Sequence, residues 1–426
     1  MFLRLALCSL WNRKGSALLT FLAITVSVFV LLGVEQIRHQ AKSSFGNTVS
    51  GIDLIVGART GDINLLLYSV FRLGNATNNI SWQSYQHIAD DPNVAWTIPI
   101  SLGDSHKGYR VMGTTADYFT HFRFGQNKRL ELAEGAPFSD LFDVVLGSEV
   151  ARSLGYSLGD KLVLAHGLGS TSFSQHDDKP FRVAGILKPT GTPVDQTLHV
   201  SLEGIEAIHI GWQNGVKLPG SPMAPGAIAL GTGALDTTTH HDLTPKTITA
   251  FMVGLKSKLA TFQLQRQINT YTGEPLLAIL PGVTLTQLWQ MMAVMENTLR
   301  LISALVLLAS LLGLAAMLLA SIRERQREIA VMRAIGASPW FLLALIEMEA
   351  VLIALAGSIL ATGLLCLSTT LTAEVLAERF SLFIESTVIT PQMFTYLLAV
   401  ILGTVLVALI PGISVYKSAL HQKLAR

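Results

Sequence analysis

The chain has 426 residues, of which 50% are hydrophobic and 14% charged, with a mean hydropathy of +0.46, values outside the range of an ordinary soluble domain. A net charge of +2 excludes the electrostatic footprint of a nucleic-acid binder. The two cysteines, Cys8 and Cys366, both fall in or beside apolar stretches, which excludes a disulfide framework in the polar part.

A hydrocarbon core of about 30 Å requires roughly 20 apolar residues in a helix. Runs of that kind occupy 16–37, 291–320, 340–367 and 394–411. They predict an interfacial helix at 1–15, a large polar domain at 38–290, a basic loop at 321–339, a short loop at 368–393 and a tail at 412–426. The first run is read as an uncleaved signal anchor, because no small-residue cleavage site follows it. Arg4, Arg13 and Lys14 precede the first span, Arg323, Arg325, Arg327 and Arg333 lie between the second and third, and Lys417, Lys423 and Arg426 follow the fourth. The remaining short loop carries Arg379 against Glu374, Glu378 and Glu385. Lys and Arg collect on the cytoplasmic side, so both termini and the basic loop are expected inside and 38–290 outside.

Within 38–290 the signals alternate between strand and helix. Residues 52–56 form an apolar strand after Gly51, and 81–89 a helix with Ser81 as N-cap. The apolar stretch 65–71 reads either as a buried core helix or as a hydrophobic surface for a lipidated or amphipathic ligand or for a second chain. A strand at 144–146 leads into a helix at 148–154 that Gly155 closes, and a further strand covers 181–187. Residues 218–233, rich in Gly, Pro and Ala, predict an irregular loop, followed by a strand at 247–255 and a helix at 256–269. The expected fold class is an α-helical membrane protein with four transmembrane helices plus a large α+β extracytoplasmic domain. That domain is read as an α/β subdomain with a strand-rich subdomain inserted at about 142–240.

Several residue types invite chemistry. Glu347 and Glu349 lie inside the third span, where a carboxylate is costly; they either link helices or sit near the membrane interface. His166, His176 beside Asp177 and Asp178, and His240-His241-Asp242 offer imidazole and carboxylate ligands without a diagnostic spacing; His240 and His241 are the metal candidates. Neither a G-x-S-x-G elbow nor a phosphate-cradling G-x-x-x-x-G-K-[ST] motif occurs, so no catalytic or nucleotide site is expected on this chain.

The loop 322–338 reads IRERQREIAVMRAIGAS. It combines charges with an apolar stripe of Ile329, Met332 and Ile335, a left-handed stop at Gly336, and Ser338-Pro339 to start the next helix. A solvated loop would expose that stripe to water, whereas a short amphipathic helix would dock it into a partner's groove.

These residues resemble the MacB, LolC and FtsX type of ABC-transporter permease, whose second and third spans are joined by a segment of the form REREIAxLRAxGAS. Val145 to Ala151, continuing to Gly159-Asp160, and Gly185 to Asp195 resemble the family's MacB-like periplasmic core domain. The resemblance implies a permease that binds no cofactor itself and pairs with a cytoplasmic ABC ATPase carrying ATP and Mg, and with a second permease, identical or related. Contact with membrane lipid and with a periplasmic partner is also implied, in the inner membrane. Glu324, Arg327, Glu328, Ile329, Met332, Arg333, Ile335 and Gly336 would then form the ATPase-coupling segment, and the extensions of the first two spans a stalk. The cargo would be a lipoprotein, a peptide or a small amphipathic compound. The alternatives are a signalling permease that activates a periplasmic cell-wall hydrolase, or a system for metal homeostasis.

Overall fold

Where apolar residues run past the length of one bilayer crossing, the chain continues as helix. The computed structural model describes all residues except 1, 13, 47, 49, 126, 167–178, 211, 214–215, 218–242, 325, 381–390 and 422–426. In chain order the helices are α1 (Phe2–Asn12), α2 (Lys14–Gly46), α3 (Asp62–Ser69), α4 (Trp82–Ala89), α5 (Asp117–His121), α6 (Ser148–Leu154), α7 (Leu202–His209), α8 (Thr261–Asn269), α9 (Pro281–Glu324), α10 (Gln326–Ala334), α11 (Pro339–Phe380) and α12 (Pro391–His421). Segments long and apolar enough to cross a membrane lie at Lys14–Gln40, Pro281–Glu324, Pro339–Thr372 and Pro391–Ser414.

One unit comprises α1, α10, most of α2, α9 and α11, and α12. Its core is aliphatic and small: Ile24, Val28 and Leu32 of α2 meet Leu314 and Leu318 of α9, Leu342, Ile346, Ala350 and Ile353 of α11, and Val400 and Ala408 of α12. Hydroxyls inside the spans turn back onto their own helix, as Thr25 does to the Phe21 carbonyl (2.8 Å) and Thr404 to that of Val400 (2.8 Å). In an apolar surround this satisfies donors that have no water to bond. With 44 residues, α9 is about 66 Å long, over twice the thickness of a hydrocarbon core. It begins at Pro281, ten residues before the expected start of the second span, and α11 runs on to Phe380, past the expected end at 367. Composition marks where lipid begins; it does not mark where helix ends.

The other unit, built on residues 42–291, is a sheet domain. Its main strands are β1 (Leu54–Ala58), β2 (Val94–His106), β3 (Tyr109–Thr114), β4 (Leu132–Gly135), β5 (Asp143–Leu146), β6 (Phe181–Leu187), β7 (Thr197–Ser201), β8 (Ala250–Leu255) and β9 (Leu276–Ile279). They pair in the order β9-β1-β8-β2-β3-β7-β5-β6-β4. The β3–β7 and β5–β6 pairs are parallel and the others antiparallel, so the sheet is mixed. The strands expected from an inserted subdomain at 142–240 continue this same sheet through the β3–β7 pair, while position 240 lies outside the described residues.

Both faces of the sheet are covered, which is why its strands read as continuous apolar runs. Leu54 and Val56 of β1, with Phe251 and Val253 of β8, pack under Tyr85 and Ile88 of α4 and Leu264 and Ile268 of α8. Between them, Ile55, Ala250 and Met252 face Leu65, Leu66 and Tyr68 of α3 and Tyr118 of α5. Leu65, Leu66 and Tyr68 are at most 1% exposed, so the apolar stretch at 65–71 supplies the domain core. The α4 start is capped as expected, Ser81 Oγ accepting from the Ser84 amide at 3.3 Å, and Gly155 closes α6 with φ +69°. The loop expected at 218–233 lies outside the described residues.

Candidate functional site

The charged segment after α9 folds into α10, and its end follows from backbone chemistry. Gly336 takes φ +104°. Its amide donates to the Arg333 carbonyl and that of Ala337 to the Met332 carbonyl, both at 3.0 Å. This paired reversal satisfies carbonyls that a helix end otherwise leaves open, and glycine adopts the conformation without a Cβ clash. Ser338 Oγ then accepts from the Phe341 amide at 3.2 Å and Pro339 opens α11, so one helix stops and the next starts within five residues.

The apolar stripe of α10 divides. Ile329 and Met332 pack against the aliphatic core of their own unit. With Ser321 of α9 and Glu349 of α11 they bound a cavity of about 20 Å³, the space of one water molecule. Ile335 points outward, 82% exposed, with Val331 at 57%. Arg327, Glu328 and Glu324 are exposed and Arg333 is half-buried, with its guanidinium donating to the Ala337 carbonyl at 2.9 Å. Ile329 and Met332, both half-buried, thus root α10 in the bundle, and the large apolar side chains that α10 leaves exposed are Val331 and Ile335. Val331 escaped the sequence reading because a stripe of three residues at helical spacing already accounted for the pattern.

The two glutamates of α11 part company. Glu349, 2% exposed, accepts a hydrogen bond from Ser9 Oγ and so ties α1 to α11. Glu347 is half-buried, and neither carboxylate oxygen has a hydrogen-bond partner among the described residues. It faces α12 where a Cβ built on Gly412 would meet Glu347 Oε1 at 3.7 Å, one residue after Pro411 within that helix.

A second polar group lies at the end of the bundle away from α10, and sequence reasoning missed it. Glu35 of α2, 5% exposed, is ion-paired with Arg38 one turn on and lies 3.7 Å from Arg300 of α9, with the Tyr396 hydroxyl of α12 close by. Arg38 in turn lies 3.6 Å from Glu296 of α9. Arg300 Nε has no partner among the described residues. The available signal was an acid and two bases at the ends of apolar runs, but nothing in the sequence pairs residue 35 with 300 or 396.

In the sheet domain the motif residues serve architecture. Asp195, fully buried, accepts from the Thr190 amide at 2.9 Å, from Thr190 Oγ1 at 2.9 Å and from the Gly191 amide at 2.8 Å. Burial raises its affinity for a proton and these donors oppose the rise. Gly147 lies so close to this loop that a Cβ would stand 2.3 Å from the Val194 carbonyl oxygen and 2.4 Å from that of Asp195. His199 on β7 is fully buried, its Nδ1–H donating to the Val145 carbonyl at 3.3 Å and its ring stacked on Tyr118 at 5.2 Å. Burial, aided by nearby Arg72, pushes His199 down to about 3, so the imidazole is neutral. His176, His240 and His241 lie outside the described residues; among the described residues no group of His, Cys, Asp and Glu is arranged to hold a metal ion.

Comparison with known proteins agrees with this architecture. Residues 17–271 match the MacB-like periplasmic core domain and residues 300–422 the FtsX-like permease C-terminal region. No curated protein matches the chain. Among solved structures, the periplasmic region of MacB from Actinobacillus actinomycetemcomitans is 11% identical, covering 57% of this chain and 94% of that one at a TM-score of 0.35. The extracellular domain of the noncanonic ABC-type transporter YknZ from Gram-positive bacteria is 12% identical, covering 54% of this chain and 98% of that one at a TM-score of 0.30. The family rests on the two sequence models, the first of which spans more than half of the chain: the protein belongs to the MacB/FtsX-type ABC transporter permeases, a multi-pass membrane protein with a periplasmic domain.

Proposed function

We propose that this permease couples ATP hydrolysis by a separate cytoplasmic ABC ATPase to movement of its periplasmic domain, acting on a lipoprotein, a peptide or a small amphipathic cargo. Both termini and α10 are cytoplasmic in this reading, as the distribution of Lys and Arg supports. The observation that carries it is the two-sided α10. Ile329 and Met332 fasten it to the bundle, while Val331 and Ile335 offer an apolar knob flanked by Arg327 and Glu328. A helix so held accepts force from a partner and passes it to α9 and α11, and ATP with Mg stays on that partner. A second permease completes the assembly.

The test is co-purification from native membranes in mild detergent. Val331→Asp with Ile335→Asp should abolish recovery of the ATPase while the permease stays inserted and folded; undiminished recovery would refute the docking role. Mass spectrometry of the unsubstituted complex then identifies the cargo. A bound cell-wall hydrolase in its place would turn the reading from transport to signalling.

A further inference from the structure

Contacts between α2 and α9 change character along their length. The aliphatic core of the helical unit ends at Leu32 on α2 and begins at Leu307 on α9. Beyond those points the large apolar side chains point away: Ile37 is 72% exposed, Val294 73% and Met295 55%. What meets between the helices there is Glu35, Arg38, Glu296 and Arg300, with Tyr396 added from α12. A buried carboxylate persists only when paired, because desolvating it costs several kcal/mol.

We propose that Glu35 is a positioning residue, the hub of a charge-paired tie that keeps α2, α9 and α12 in register at the end of the bundle away from α10. Resting on the reading of the chain as an ATP-driven permease, the tie makes the outer parts of α2 and α9 move as one body when α10 is displaced. Apolar packing would let the helices slide at small cost; a carboxylate paired across helices fixes their register, since any slip strands a buried charge. Arg300, 40% exposed at its side chain and with one nitrogen unpartnered among the described residues, is the weak arm of the tie, and Arg38 the strong one.

The experiment places spin labels at Ile37→Cys and Asn297→Cys in a Cys8→Ser, Cys366→Ala background of the full protein in lipid nanodiscs. The distance distribution is recorded without nucleotide and with ATP and vanadate, and the hydrolysis rate is followed in the same samples. With the tie intact one narrow distance is expected in both states. Glu35→Gln should at least double its width while hydrolysis falls less than twofold, and Glu35→Asp, which keeps the charge beside Arg38 and Arg300, should retain the narrow distance. An unchanged width in Glu35→Gln, or a Glu35→Asp variant as broad as Glu35→Gln, would overturn the proposal. Equal loss of hydrolysis and register in Glu35→Gln would also overturn it, because that is what general unfolding produces. If no ATPase accompanies the unsubstituted protein, the transport reading fails, yet the nucleotide-free width still decides the tie.

Discussion

The helical unit and the sheet domain both bury charged groups, and Glu35 and Asp195 show two ways of keeping one. Glu35 is answered by Arg38 one turn along its own helix and by Arg300 of α9, and Glu349 by Ser9 of α1. Asp195 is enclosed locally, by amides four and five residues away, and burial holds His199 neutral. A pair between separate helices makes a joint that holds those helices in register; a carboxylate wrapped by its own loop makes a fixture that holds the shape of that loop.

The largest effect that tests this contrast is expected from Ile329→Asp. It puts an unpaired carboxylate into the apolar root of α10, at a cost of about 3–5 kcal/mol, so accumulation of the permease in membranes should collapse. Ile335→Asp on the exposed side should accumulate normally. Next, Gly147→Ala drives a Cβ against the Val194 and Asp195 carbonyls, where the nearest atoms stand at 2.3 and 2.4 Å. The sheet domain should lose about 3 kcal/mol, read as earlier loss of amide protection in β5 and β7 with the spans unaffected. An equally disturbed helical unit would break the distinction between fixture and joint.

Acid should also separate the two regions. The unfolded chain takes a proton at His199 near 6.5 and the folded domain only near 3. Below about 6.5 the unfolded state therefore binds more protons, and the stability fully present above that pH is lost progressively as pH falls toward 3. Thermal unfolding of the full protein in detergent should show the sheet domain falling off over this window, with a shallower slope in His199→Leu. Smallest is Ser9→Ala, which removes one hydrogen bond to a buried carboxylate, worth about 2 kcal/mol; faster limited proteolysis of α1 with unchanged membrane accumulation is the expected result.

What the sequence made legible follows the same division. The end of α10 was readable from Gly336 and Ser338-Pro339 because stop and start signals act over a few residues, and the strand at 181–187 matches β6 residue for residue. The continuous sheet was not readable, since the β3–β7 pairing joins Arg110 to Thr197 across the fold. Nor was the Glu35 tie, whose partners come from residues 296, 300 and 396. The inward turn of Ile329 and Met332 was hidden for a related reason: periodicity shows that a helix has an apolar face, and cannot say which neighbour covers it.

Rigidity sets the scale of what these joints can transmit. Helix α9 has its one proline at the first position, whereas α12 carries Pro411 within. A helix without an interior proline keeps its hydrogen-bond ladder and resists kinking. Pivoted at one tip, a beam about 66 Å long that tilts by about 5° sweeps its far tip through about 6 Å. A tilt of that size at one end of α9 therefore displaces its other end by about the pitch of one helical turn.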